Sequence, residues 1–419
     1  MRIIVLGILT FLFIFDLSLL GLPSIFSSRK IVFVILFIHY IVSFKRFRFN
    51  TGSMYFILSI NVMIFLWLFI LSVSWPQSPL ADYVYSREMY FIIYTIIGSV
   101  LLANFFKGLD EYARSVVIAM VIQSLIVFSQ FSFEGFRVFL ENTFQPTGNI
   151  EYTRTDRANG VGAEGAFLSL LLATGLYFCS YFLHFKRIIT VNYVIFFLCL
   201  LTATFLTGRT GFYIGCVLSI FVFSSILLKD YGKTAMLKVL PIMLIAFFSL
   251  SFLVDRLGIN EDRLEQLNTW VTSVVDDGLE EGSVTALMEM QIPSLSNETV
   301  VGTAVYRGTT SNGTTVQHDS GYVQMYSSLG VVFAVIFYVS LFIYLITLIR
   351  KVRGGKLKVF FFAYILLIFI VELKEPFIFK YIPVGLIITA ILLSGIKSTS
   401  KDHKPQFLKK ENANGSPSN

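Results

Sequence analysis

Five side chains combine residue type and setting in a way that could do chemistry: Arg157, Glu164, Arg209, His318 and Asp319. Arg209 sits in Thr207-Gly208-Arg209-Thr210-Gly211, a short turn between two apolar runs. Flanking glycines let backbone amides approach an anion closely, and a guanidinium offers phosphate a planar bidentate fork. The plainer reading is an Arg that snorkels to the membrane surface. Arg157 opens Arg157-Ala158-Asn159-Gly160, and Glu164 follows in the first turn of a helix expected to start near Val161. An acid is favoured at a helix N-terminus. Glu164 therefore either caps that helix and pairs with Arg157, or faces a cavity at the membrane edge.

The chain has four His. His39 and His184 fall towards cytoplasmic helix ends and His403 in the C-terminal tail, which leaves His318 alone on the opposite side. An imidazole is the commonest general base, and Asp319 beside it could orient the ring or raise its pKa. A His in a loop is otherwise inert. Glu372, Lys374 and Glu375 precede Pro376, where they pair with one another or line the same cavity. Asp16 is an intramembrane acid with no evident sequence partner. Zinc-ligand spacing, a Walker loop, a dinucleotide fingerprint and a nucleophile elbow are all missing from the sequence, so no metal and no cofactor is expected.

The elements that must position these groups are membrane helices. The 419 residues are 55% hydrophobic and 14% charged, with 44 Phe, and mean hydropathy is +0.75. Soluble domains carry roughly 25% charged residues. The fold class expected is all-α, a polytopic integral membrane protein of about 12 transmembrane helices with a large periplasmic loop. The apolar runs are 3–22, 31–44, 55–74, 89–105, 115–133, 161–184, 188–207, 210–228, 237–254, 322–349, 360–372 and 382–395. The first reads as an uncleaved span, being long and lacking a small-x-small cleavage site. Cys179, Cys199 and Cys216 all lie inside apolar runs, so no disulfide framework is expected.

Orientation follows from the basic residues. With the N-terminus inside, cytoplasmic segments hold 21 of the 33 Lys and Arg, although the outer segments are longer in total. Both termini are then cytoplasmic. The net charge of +7 reflects this asymmetry, and no nucleic-acid partner is implied. The organisation expected is a bundle over 1–254, a periplasmic loop over 255–321, further spans over 322–395 and a disordered cytoplasmic tail over 396–419. Within the loop, residues 261–276 place Leu264, Leu267, Trp270, Val271 and Val274 at helical spacing. They predict an amphipathic helix on the membrane surface or over a cavity.

In these residues the chain resembles the bacterial O-antigen polymerase and ligase superfamily, the Wzy-type polymerases in particular. The likeness rests on the many spans, the late periplasmic loop and the Thr-Gly-Arg-Thr-Gly turn. It also rests on Arg157-x-x-Gly160 with Glu164 beyond, and on His318-Asp319-Ser320 opening the span after the loop. The ligase branch tends to have two Gly three apart after the His; here Gly330 is followed by Phe333 three residues on, which favours polymerase. The resemblance implies a glycosyltransferase of the bacterial inner membrane acting on undecaprenyl-diphosphate-linked oligosaccharide, with membrane lipid and a chain-length regulator protein as partners. Arg209 and Arg157 would hold the leaving diphosphate, and His318 or Glu164, with Asp319, would take the acceptor proton. A ligase that transfers glycan to lipid A-core and a lipid-linked oligosaccharide flippase or transporter are the competing readings.

Overall fold

A computed structural model describes residues 1–43, 51–74, 82–145, 159–162, 165–186, 188, 190–227, 292–309, 315–316, 318–380 and 382–395. In lipid the backbone must satisfy its own N–H and C=O groups, so uninterrupted apolar runs wind into helices. In chain order these are α1 (Arg2–Phe15), α2 (Ser28–Val42), α3 (Thr51–Ser74), α4 (Val84–Phe105), α5 (Leu109–Ser132), α6 (Glu134–Thr143) and α7 (Gly165–Phe185). They continue with α8 (Val191–Thr207), α9 (Arg209–Leu227), the short α10 (Asn297–Val301), α11 (Gly321–Leu329), α12 (Val331–Arg350), α13 (Gly355–Val371) and α14 (Ile382–Gly395). Two helices are partly wound as π-helix, α4 over Phe91–Ile97 and α7 over Tyr181–Phe185.

Among the described residues five helices are long and apolar enough to cross a membrane: α3, α4, α5, α7 and α12. Apolar side chains also point outward, Leu66, Phe69 and Ile70 on α3 and Val335 and Val339 on α12 among them. Such a surface suits lipid and not water. The chain is a helical membrane protein. Helices lie over every apolar run marked in the sequence except 237–254, although α1 stops at Phe15 and leaves the rest of the run 3–22 non-helical. The run 237–254, the amphipathic segment 261–276 and the tail 396–419 lie outside the described residues. At the centre is α7, buried over most of its length and packed on α5, α8 and α9.

Three further features depart from the sequence expectations. The run 322–349 is two helices, because Gly330 adopts φ 78° and breaks it. Asp16 does have a partner: it pairs with Arg29 at 3.0 Å. Arg29 also donates to the carbonyls of Phe13 (2.8 Å) and Ile14 (2.6 Å), which the last turn of α1 leaves open. The third departure is a small antiparallel sheet in an otherwise helical chain: β1 (Asp82–Tyr83), β2 (Val305–Thr309) and β3 (Thr315–Val316), in the order β1-β2-β3. It ties the α3–α4 connection to the end of the long polar segment.

Candidate functional site

His318 precedes a helical hairpin. Helix α11 folds back along the first turns of α12 about Gly330, so Tyr322 and Tyr338 meet with ring centroids 4.7 Å apart. The Tyr322 hydroxyl donates to the Phe369 carbonyl on α13 at 2.8 Å. The tip of the hairpin packs on α10, where Gly302 and Gly330 approach each other's backbones too closely for any Cβ. Phe333, on the first turn of α12, stacks on Trp67 of α3 at 5.0 Å, and the Trp67 indole donates to Val301 O at 3.2 Å. The start of α11 is thereby set about two turns down α12 from its tip. His318, Asp319 and Ser320 lie there, with His318 and Ser320 buried.

The His318 ring is held. Ser320 N–H donates to Nδ1 at 3.0 Å, so the neutral ring carries its proton on Nε2. Gln324 Nε2 donates to the His318 carbonyl. Burial holds the imidazole pKa below its ordinary 6.5, and the Asp319 charge offsets part of that fall. Asp319 acts in the direction expected from the sequence, but desolvation outweighs it.

Glu372, which ends α13, anchors this arrangement. Its carboxylate accepts from the Tyr338 hydroxyl (2.8 Å) and from Ile378 N–H (2.6 Å). Its backbone carbonyl accepts from Gly321 N–H at 2.9 Å, directly after His318-Asp319-Ser320. A Cβ on Gly321 would strike the Glu372 carboxylate and lie 2.8 Å from Pro376 Cα. Of the two readings of Glu372, pairing with its neighbours or lining a cavity, these bonds describe neither: it joins α11, α12 and the 376–380 turn.

The Thr207–Gly211 turn is tighter than its sequence suggests. Helix α8 ends at Thr207 and α9 begins at Arg209, leaving Gly208 alone between them. The glycines make room for Ser169 of α7. Its hydroxyl donates to Gly208 O (2.7 Å) and Thr204 O (3.1 Å), and a Cβ on Gly211 would strike its backbone. Arg209 thus opens a helix, where the first amides lack partners and favour anions.

Residues 159–162 are not helical, and the described part of α7 begins at Gly165. Glu164 and Arg157 themselves lie outside the described residues. Residues 159–162 thread into the bundle. Gly160 N–H donates to Gln130 Oε1 at 2.7 Å, and Gln123 Nε2 donates to Val161 O at 3.1 Å. Gly162 (φ 68°) rests on the Phe15 carbonyl, where no Cβ fits. Irregular backbone at this depth is tolerated only inside protein or beside a cavity.

A run of contacts brings these pieces to one end of the bundle. Gly208 lies against Gly165, Ala166 and Ser169. Phe167, in the same turn of α7, meets Phe377 at 6.1 Å. The Phe377–Ile378 turn is held by Glu372, and Glu372 holds Gly321. The starts of α7, α9 and α11 therefore share one corner. Lys380, which sequence reasoning passed over, is there too, its Nζ 4.6 Å from the centroid of the Phe167 ring. Behind Phe377 a small apolar gap of about 10 Å³ lies between α7, α9 and α13, lined by Leu170, Thr174, Ile214, Tyr364 and Ile368. Among the described residues no cluster of His, Cys, Asp or Glu could hold a metal ion. Comparison with known proteins finds no matching family model, no matching curated protein and no matching solved structure.

Proposed function

We propose that this chain is a surface-polysaccharide (O-antigen) polymerase, a glycosyltransferase that joins undecaprenyl-diphosphate-linked repeat units at the periplasmic face of the bacterial inner membrane. What supports the reading is the shared corner of α7, α9 and α11, where Arg209 opens α9, Lys380 lies over Phe167 and His318 precedes α11. A lipid diphosphate leaves as an anion, and cations at a helix N-terminus in a low-dielectric setting stabilise it. Arg209 and Lys380 supply that charge, with Arg157 joining them. The acceptor hydroxyl oxygen attacks the anomeric carbon. The bond from that carbon to the diphosphate breaks with its electron pair, and His318 or Glu164 takes the hydroxyl proton. His318 offers Nε2–H while the Ser320 amide holds Nδ1, so it becomes a base once the ring turns Nδ1 free. In this reading the bundle has about twelve spans, both termini are cytoplasmic and residues 255–321 are periplasmic.

Electrophoresis of surface glycolipid with and without the gene tests the reading. Loss of a polymerase leaves a single repeat unit on the core. Loss of a ligase leaves none, and loss of a flippase strands the unit on the cytoplasmic side. Arg209→Ala and His318→Ala, at normal expression, are expected to abolish long chains; normal ladders from both would remove their roles. A pH profile adds a second check. The base must be neutral, and burial lowers the His318 pKa, so synthesis persists somewhat below pH 6.5 before its acid limb. Asp319 raises that pKa, so Asp319→Asn shifts the limb further towards acid. A shift towards neutral pH would contradict this account of His318.

A further inference from the structure

Helices α1 and α2 are too short for the membrane they stand in. Their 14 and 15 residues rise about 21 and 22 Å, against about 30 Å of hydrocarbon. Helix α5, packed on α1, has 24 residues and rises about 36 Å. The two helices run parallel from a common level: Arg2 bonds Glu111 at 3.0 Å, and Gly7 rests on Ile118. The difference in length therefore falls at the far end of α1. Residues 17–26 and α6 occupy that end, joined by Leu20 N–H to Thr143 O and Gln145 N–H to Ser18 O.

Residues 17–26 carry no charge, and Leu19, Leu20, Leu22, Ile25 and Phe26 are all exposed, Ile25 by 67%. Contiguous apolar surface of this kind calls for a partner. The backbone indicates which one. A loop in water can leave its polar groups to the solvent, whereas in hydrocarbon each must be met by protein. Here Leu17 N–H donates to Ser28 Oγ (2.7 Å), Leu20 N–H to Thr143 O (2.9 Å), Leu22 N–H to Leu19 O (3.2 Å) and Phe26 N–H to Pro23 O (2.9 Å). The carbonyls of Leu17 and Ser18 accept from the Ser28 and Gln145 amides, both at 2.8 Å, and the Leu22 carbonyl from Gln145 Nε2 at 2.7 Å. The charges flanking the loop, Asp16 and Arg29, pair with each other, as charges at membrane depth must.

We infer that residues 17–26 and the Phe139 side of α6 form a plate sunk in the membrane and covered by lipid acyl chains. The plate continues a lipid-facing surface, since the exposed Ile31, Val34 and Ile38 follow Phe26 along α2. Helix α6 marks its edge. Phe139 is half-exposed and stacks on Phe136 with centroids 6.0 Å apart. Glu134 and Glu141, both exposed, project about 140° and 160° away from Phe139 around the helix, towards water. The boundary of the bilayer on this side thus lies at α6 and not at the ends of α1 and α2. In the orientation proposed above, the leaflet is the periplasmic one. Gly162 rests on the Phe15 carbonyl at the end of α1, so the lipid-covered edge borders the segment that leads to α7.

The test uses the full chain in nanodiscs of phosphatidylcholine brominated at mid-chain, with acrylamide as the quencher in water. Ile25→Trp, Phe26→Trp and Phe139→Trp are each compared with the wild type, whose three Trp supply the background to subtract. The added emission is expected to lose most of its intensity to the brominated lipid and little to acrylamide. Glu141→Trp, the control in water, should show the reverse. Acrylamide quenching of Ile25→Trp and Phe26→Trp as strong as that of Glu141→Trp would put the plate in water and overturn the inference. Added emission that neither quencher reaches would mean that another segment of the chain covers the plate, and would overturn it too. Quenching by lipid at positions 25 and 26 but not at 139 would remove α6 from the plate and overturn the placing of the boundary. None of these positions belongs to the proposed catalytic corner, so the outcome is independent of the polymerase reading.

Discussion

Gly321→Ala is expected to abolish long-chain polysaccharide while leaving much of the helical bundle folded. The added methyl would occupy the place of the Glu372 carboxylate and press on Pro376 Cα, 2.8 Å away. Overpacking of this kind costs about 1–3 kcal/mol. The larger consequence is geometric, because Gly321 directly follows His318-Asp319-Ser320 and the start of α11 must move. A displacement near 1 Å at a reacting group can cost about 10²-fold in rate. Glu372 gives the matching result from the other side of the contact. Glu372→Leu leaves Ile378 N–H and the Tyr338 hydroxyl without an acceptor, at about 1–3 kcal/mol each. Glu372→Gln should keep the ladder, since its amide oxygen can accept from Ile378 N–H and its NH2 can donate to a Tyr338 hydroxyl turned to accept. Ladders and melting temperatures of the three variants check this. A Glu372→Gln protein that melts normally yet makes no long chains would show that Glu372 acts through its charge and not by holding α11.

Much of this architecture is legible in the sequence because lipid leaves the backbone few options. Runs such as 55–74 and 115–133 are predominantly apolar, and helices lie over both. What stays hidden depends on contacts between distant residues. The break at Gly330 is silent because apolar residues follow it and nothing nearby signals a hairpin; it takes Gly302, from another segment, to explain the φ of 78°. The Asp16–Arg29 pair spans a turn and a short helical segment, so neither charge announces the other. Glu88 is the instructive miss. In the sequence it falls just outside the apolar run that starts at 89, and nothing there singles it out. Helix α4 instead starts at Val84 and carries Glu88 inward. The recurrence of polar residues at the ends of separate apolar runs is readable; that Glu372 and Phe377 knit three helix ends together is not.

The Thr-Gly-Arg-Thr-Gly turn yields the sharpest separation between propensity and packing. Within a helix, Ala is favoured over Gly by roughly 0.5–1 kcal/mol, so Gly211→Ala should stabilise α9 if only local structure mattered. The structure reverses the sign. A Cβ at position 211 would run into the hydroxyl and the backbone of Ser169, and backbone cannot step aside as a side chain can. Helices α7 and α9 would have to part, and the Ser169 hydroxyl would lose Gly208 O, the bond that sets where Arg209 begins. At about 1–3 kcal/mol for overpacking, the steric cost exceeds the propensity gain. Gly211→Ala is therefore expected to lower the melting temperature and to remove long chains as thoroughly as Arg209→Ala. Gly215→Ala, one turn further along α9, is the control. Its Cβ would press on the methyl ends of Leu201 and Leu176, at 2.8 and 2.9 Å, which can rotate away, and would meet Thr204 Oγ1 at an ordinary 3.6 Å. It should keep its ladder. If Gly211→Ala behaves like Gly215→Ala, the close seating of α9 on α7 does not position Arg209, and the cationic corner loses its main structural support.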